Sequence, residues 1–141
     1  LDDPTSKMSK SAENIHSRIS LLDDAAKIKK SIMKSTTDSE GDIRFDMDQK
    51  PGVSNLINIY SSFSGLTVAE IEKKYANCGY GEFKKDLVDV TVEAMLPIQQ
   101  RYKEIRESEE LIRILKEGAE KAASISETTI NRVKDKFGLG I

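Results

Sequence analysis

From Asp23 onward, apolar residues recur at helical spacing and almost nowhere alternate with polar ones. Ala25, Ile28 and Ile32 form a first stripe running to about Ser35, with Asp23 or Asp24 as the cap that accepts from the free amides of the first turn. Lys50-Pro51-Gly52 opens a second helix, with proline where its missing amide costs little. Val53, Leu56, Ile57, Tyr60 and Phe63 make the apolar face of that helix, and Gly65 stops it. Thr67-Val68-Ala69-Glu70 has the form of a capping box and starts a short helix carrying Ile71 and Tyr75. A long helix follows from Gly81, with Phe83, Leu87, Val90, Ala94, Ile98, Tyr102 and Ile105 on one side and a kink expected at Pro97. Ser108, followed by Glu109 and Glu110, marks a fresh start, since acids favour the positive end of the helix dipole. Ile112, Leu115, Ala119, Ala122, Ile130, Val133 and Phe137 then stripe the last helix as far as Gly138.

Two stretches break this rhythm. Ile19 and Leu21 alternate with polar neighbours, so Ile15–Leu22 is expected to be briefly extended. Thr36–Gly41 has turn chemistry throughout, and Ile43-Arg44-Phe45 is a short apolar alternation in a polar connection. Asp42, Asp46 and Asp48 lack the spacing and the terminal Glu of an EF-hand loop, which rejects calcium. Helices with one apolar stripe must pack on each other. The expected fold is therefore all-α, an irregular bundle of about five helices whose Phe, Ile, Leu and Tyr stripes form the core.

Composition narrows the choice of function. A chain of 141 residues can bury one ordinary core, and a net charge of −2 argues against a generic basic nucleic-acid module. Charge is unevenly placed: Lys7, Lys10, Arg18, Lys27, Lys29, Lys30 and Lys34 outnumber Glu13, Asp23 and Asp24 between Thr5 and Ser35. A single Cys78 forms no intrachain disulfide and fits a reducing compartment, and with His16 alone it builds no zinc site. No apolar run approaches the roughly 20 residues of a membrane span, and no signal peptide is visible. The chain begins on Leu1 in what reads as a loop, so a fragment of a longer protein is expected.

The chemistry sits near the start. Lys7-Met8-Ser9-Lys10-Ser11 places two ammonium groups three residues apart with hydroxyls between and after them. A loop of this kind can bring two compact, flexible cations onto one polyphosphate. Preplaced cations aimed at a departing pyrophosphate are usually the largest catalytic contribution a protein can make. A second basic feature, Lys27, Lys30 and Lys34 on one face of the first helix, suits either a solvated surface or a contact with RNA phosphates.

The pentapeptide matches the KMSKS signature of class I aminoacyl-tRNA synthetases at all five positions. Leu1-Asp2-Asp3-Pro4-Thr5 before it, Leu21-Leu22-Asp23-Asp24, Thr37-Asp38-Ser39, Lys50-Pro51-Gly52-Val53-Ser54-Asn55-Leu56, Tyr80-Gly81-Glu82-Phe83-Lys84, Pro97-Ile98-Gln99, Ser108-Glu109-Glu110-Leu111 and Gly138-Leu139-Gly140 resemble bacterial-type tryptophanyl-tRNA synthetases. One departure is Ala12-Glu13, where many relatives carry Asp-Pro. The resemblance implies a tryptophan–tRNA ligase, which makes tryptophanyl-adenylate from tryptophan and Mg2+-ATP and then acylates tRNA(Trp). It implies a cytoplasmic homodimer, with no membrane association.

On this resemblance Lys7 and Lys10 serve catalysis, and Lys7, Met8, Ser9, Lys10 and Ser11 bind the ATP phosphates. Lys27, Lys30 and Lys34 are the tRNA-contact candidates, and no side chain of this chain is assigned to a metal. Residues 1–22 would be the KMSKS loop and connector of a Rossmann catalytic domain otherwise missing here. Residues 23–141 would be the helical, anticodon-binding-type domain. The HIGH-like signature and the tryptophan pocket are absent from the sequence, so the chain alone is expected to be inactive. The alternatives are the equivalent part of a tyrosyl-tRNA synthetase, a non-catalytic helical RNA-binding module, and a helical interaction domain.

Overall fold

The computed structural model describes residues 1–6, 9 and 11–139. Among these there are five helices and no strand: α1 (Ala25–Met33), α2 (Pro51–Ser64), α3 (Val68–Lys74), α4 (Tyr80–Arg106) and α5 (Glu110–Lys136). The fold is all-α. The chain divides into two compact units, 1–99 and 100–141, with the division falling inside α4.

Local chemistry explains the helix boundaries. Asp24 caps α1, its side chain accepting from Lys27 N at 2.7 Å. Proline occupies the first position of α2, and Gly65 ends it in the left-handed conformation at φ 75°. Thr67 and Glu70 complete a reciprocal capping box on α3. The last helix departs from expectation. Ser108 does not cap it but turns its hydroxyl back to Ile105 O at 2.9 Å, so it finishes α4, and α5 starts at Glu110.

The first unit holds the core. Ile28 and Ile32 of α1 share it with Val53, Leu56, Ile57 and Tyr60 of α2, Ile71 of α3, and Phe83, Leu87 and Met95 of α4. Tyr60, Tyr75 and Phe83 form an aromatic cluster with centroids 5.0 to 5.8 Å apart. Leu1 and Ile43, from non-helical segments, are also buried in it. Phe63 is exposed, contrary to expectation, because residues 62–65 all face solvent at the end of α2. Turns interrupt the segment 15–22 at both ends, through Ser17 N to Asn14 O and Asp23 N to Ser20 O.

The expected core role fails for α5. No residue of this helix is buried, and Ile112, Leu115, Ile130, Val133 and Phe137 are all exposed; Ile98 and Tyr102 of α4 are exposed too. A stripe at helical spacing says that a helix has a face to cover, not that the covering surface lies in the same chain.

Candidate phosphate-binding loop and its supports

Lys7, Met8 and Lys10 lie outside the described residues, as does Gly140. What is described is the frame on both sides of the two lysines. Upstream, the Asp3 carboxylate accepts from Thr5 N at 3.0 Å, Thr5 Oγ1 at 2.7 Å and Ser6 Oγ. Those bonds, Ser6 first and Thr5 next, hold its pKa at about 2, so it stays ionised and keeps the turn closed at neutral pH. Downstream, Ser9 Oγ and Ser11 Oγ lie 3.0 Å apart, and Ser11 N donates to Ser9 Oγ at 3.3 Å. Both serines are exposed.

Residues distant in sequence tie this frame down. Arg18 donates to Ser9 O at 3.4 Å and to Ala12 O at 3.3 Å. Asn14 Nδ2 donates to Asp2 Oδ2 at 2.9 Å, closing the two sides of the loop on each other. Thr36 binds the stem twice, from N to Leu1 O at 2.9 Å and from Oγ1 to Asp2 O at 2.7 Å. A cleft of about 200 Å3 lies between the two sides, lined by Asp2, Asp3, Ser6, Ser9 and Ser17 among others. The Ser17 hydroxyl in it is buried and has no hydrogen-bond partner among the described residues.

The basic face of α1 is less uniform than its spacing suggests. Lys27 is committed to Asp23 at 2.7 Å, while Lys30 and Lys34 are exposed. His16 joins this face, with Nδ1 3.3 Å from Ser31 Oγ. Burial, then the positive charge of Lys30, Lys34 and Lys27, pushes its imidazole below the usual histidine range.

Sequence reasoning missed a buried charge cluster around Lys50. Lys50 sits immediately before α2 with its side chain wholly buried, where Nζ meets Asp42 at 2.5 Å, Glu40 at 2.8 Å and Asp38 at 3.1 Å. Tyr80 OH accepts from Lys50 at 3.1 Å and donates to Asp38 Oδ1. Burial alone would push the ammonium pKa down, but bonds to Asp42, Glu40, Tyr80 and Asp38 raise it instead. The cluster therefore stays charged and folds the 38–42 loop over the N-terminus of α2. Only the concentration of acids at 38–42 beside one lysine could have signalled it. Among the described residues no group of three or more His, Cys, Asp or Glu is placed to hold a metal ion.

Bonds from Asn14, Arg18 and Thr36 thus hold the backbone on both sides of the paired lysines. Residues 1–96 match the family described as tRNA synthetases class I (W and Y), and the chain belongs to that family. Within it, tryptophan enzymes are among the proteins it is similar to. The chain is 52% identical over 139 residues to the tryptophan–tRNA ligase of Bacillus anthracis, covering 99% of this chain and 42% of that protein. It is 50% identical over 140 residues to that of Bacillus subtilis, again covering 99% of this chain and 42% of the relative. The crystal structure of tryptophanyl-tRNA synthetase from Mycoplasma pneumoniae superposes with a TM-score of 0.84 at 32% identity, over 100% of this chain and 45% of that one. The chain thus spans 42% of the length of the curated relatives it matches. No helix among the described residues is long and apolar enough to cross a membrane.

Proposed function

We propose that this chain is part of an ATP-dependent tryptophan–tRNA ligase, supplying its KMSKS loop and a helical tRNA-recognition domain. The observation that carries this reading is half identity to tryptophan–tRNA ligases along 99% of the chain, with the intact lysine pair inside the matched region. In the reaction, the tryptophan carboxylate attacks the α-phosphate of Mg2+-ATP and pyrophosphate leaves. A ribose hydroxyl at the 3′ end of tRNA(Trp) then attacks the acyl carbonyl of the adenylate, and AMP leaves. Lys7 and Lys10 stabilise the charge that builds on the departing pyrophosphate, and Met8, Ser9 and Ser11 shape the loop around it. Mg2+ enters with the nucleotide as part of the substrate.

The frame described above suits that role. A loop that closes over ATP needs its two sides anchored, and Asp3, Arg18, Asn14 and Thr36 fasten them. Residues 1–22 belong, on this reading, to the catalytic domain, and residues 23–141 form the anticodon-binding-type domain. Lys30 and Lys34 contact tRNA phosphates, with Lys27 contributing when it leaves Asp23. The full-length protein works as a cytoplasmic homodimer.

Tryptophan-dependent pyrophosphate exchange tests the reading. The full-length protein turns over and the 141-residue chain alone does not. Lys10→Ala in the full-length protein slows single-turnover adenylate formation by about 3 kcal/mol of barrier while leaving tryptophan affinity nearly intact. An unchanged rate would remove the loop from catalysis, and exchange driven by tyrosine instead of tryptophan would reassign the substrate.

A further inference from the structure

One peptide group, between Ser35 and Thr36, is held from two directions. Its carbonyl accepts from Lys84 Nζ of α4 at 2.8 Å, and its N–H donates to Leu1 O at 2.9 Å. Thr36 Oγ1 adds a second bond to the same strand of backbone, 2.7 Å to Asp2 O. A cation on the carbonyl side of a peptide strengthens the N–H on its other side as a donor, because bonds in series polarise one another. A continuous path therefore runs from α4, through one peptide, to the backbone that leads into Lys7.

Lys84 is an expensive way to fill that position. It is 7% exposed, and among the described residues its ammonium meets only neutral oxygens, Ser35 O and, at 3.5 Å, Thr37 Oγ1. Lys50, by contrast, is buried against three carboxylates. Burial pushes the Lys84 pKa below the usual lysine range, the mark of a charge held against its solvation preference. An apolar side chain of similar length would avoid that cost but would leave the buried Ser35 carbonyl without its donor. What the lysine provides here is a hold on that peptide.

Resting on the tryptophan–tRNA ligase reading, we propose that Lys84 is a positioning residue for the phosphate-binding loop, acting through the Ser35–Thr36 peptide on the Leu1–Asp2 stem. The ammonium never touches the nucleotide. Its work is to hold the Leu1–Asp2 backbone, which leads into the lysine pair, at a fixed distance from α4.

The test uses the full-length protein with Lys84→Met, Thr36→Val, the double variant and Thr36→Ser. Tryptophan-dependent pyrophosphate exchange, thermal unfolding and hydrogen exchange of the Thr36 amide are measured on each. Lys84→Met is expected to lower the unfolding midpoint by no more than the loss of one buried hydrogen bond. It lowers kcat about tenfold, beyond what that fall in midpoint accounts for, with KM for tryptophan unchanged. Its Thr36 amide exchanges at least about tenfold faster. Thr36→Val lowers kcat in the same direction, Thr36→Ser retains the wild-type rate, and the double variant loses less than the product of the two single losses. Wild-type kcat and ATP KM in Lys84→Met would overturn the proposal. So would a fall in kcat that only tracks a fall in the unfolding midpoint. The amide reads the coupling without activity: unchanged Thr36 exchange in Lys84→Met overturns the proposal even if the wild type shows no turnover. Faster Thr36 exchange in that variant, with an inactive wild type, would instead sink the ligase reading and uphold the coupling.

Discussion

Gly52 lies so close beneath Thr36 that a β-carbon on it would stand 2.3 Å from the Thr36 carbonyl oxygen. That oxygen belongs to backbone, which cannot swing aside as the end of a side chain would. Gly52→Ala must therefore displace the segment that binds Leu1 and Asp2. The expected cost is about 1–3 kcal/mol of stability, from overpacking a close backbone approach. Urea unfolding checks it, and a variant as stable as wild type would show that the two segments separate freely.

Lys50→Met should destabilise the chain, because three carboxylates lose the cation they converge on. Glu40 and Asp42 side chains are 64% and 53% exposed and can rehydrate, so the loss falls at the low end of that for a broken buried pair, about 3 kcal/mol. Chemical denaturation with an unchanged m-value would isolate this effect from a change in the unfolded chain. A loss under about 1 kcal/mol would mean that the cluster is worth no more than a surface pair.

The same cluster sets an acid limit. Burial raises the Asp38 pKa, but Tyr80 OH, the Glu40 amide and Lys50 override it and hold it at about 2. The usual aspartate value is about 3.9, so the folded state binds this proton less readily than the unfolded one. The stability it contributes is fully present above the unfolded value and is lost as pH falls through about 2. Asp38→Asn should therefore be less stable than wild type by a constant amount from pH 7 to pH 5, with the gap narrowing below pH 4. A gap independent of pH down to pH 2 would assign the effect to shape rather than charge.

Thr67→Ala removes one half of the capping box, in which Thr67 N donates to Glu70 Oε2 at 2.8 Å and Thr67 Oγ1 accepts from Glu70 N at 3.3 Å. Such a cap is worth about 1 kcal/mol. Because α3 carries Ile71 into the core, the loss should appear in global unfolding and not only as fraying of one turn. Thr67→Ser, which retains the hydroxyl, should recover most of it.

Helix positions followed from residues a few places apart. Asp24, Pro51, Gly65 and Thr67 act on amides or carbonyls within one turn of themselves, so their effects are readable without knowing the fold. Ser108 misled for a related reason. A hydroxyl at the junction of two helices can serve either end, and here it serves the one before it. The paired lysines were legible as a motif because five adjacent residues carry it. The contacts to its stem were not: Thr36 and Lys84 lie far from it in sequence, and although Lys84 falls in a run that resembles the family, nothing there points to these bonds.

The order of residues by itself determined the helices, the caps at Asp24, Gly65 and Thr67, the Lys7–Ser11 motif as a motif and the family, since each depends on short-range geometry or on identity position by position. Tertiary structure alone decided which stripes are covered, where Lys50 finds its three carboxylates, and how α4 reaches the loop stem through a single peptide. Burial and ion pairing depend on which distant surfaces meet, and periodicity along one helix does not encode its partner.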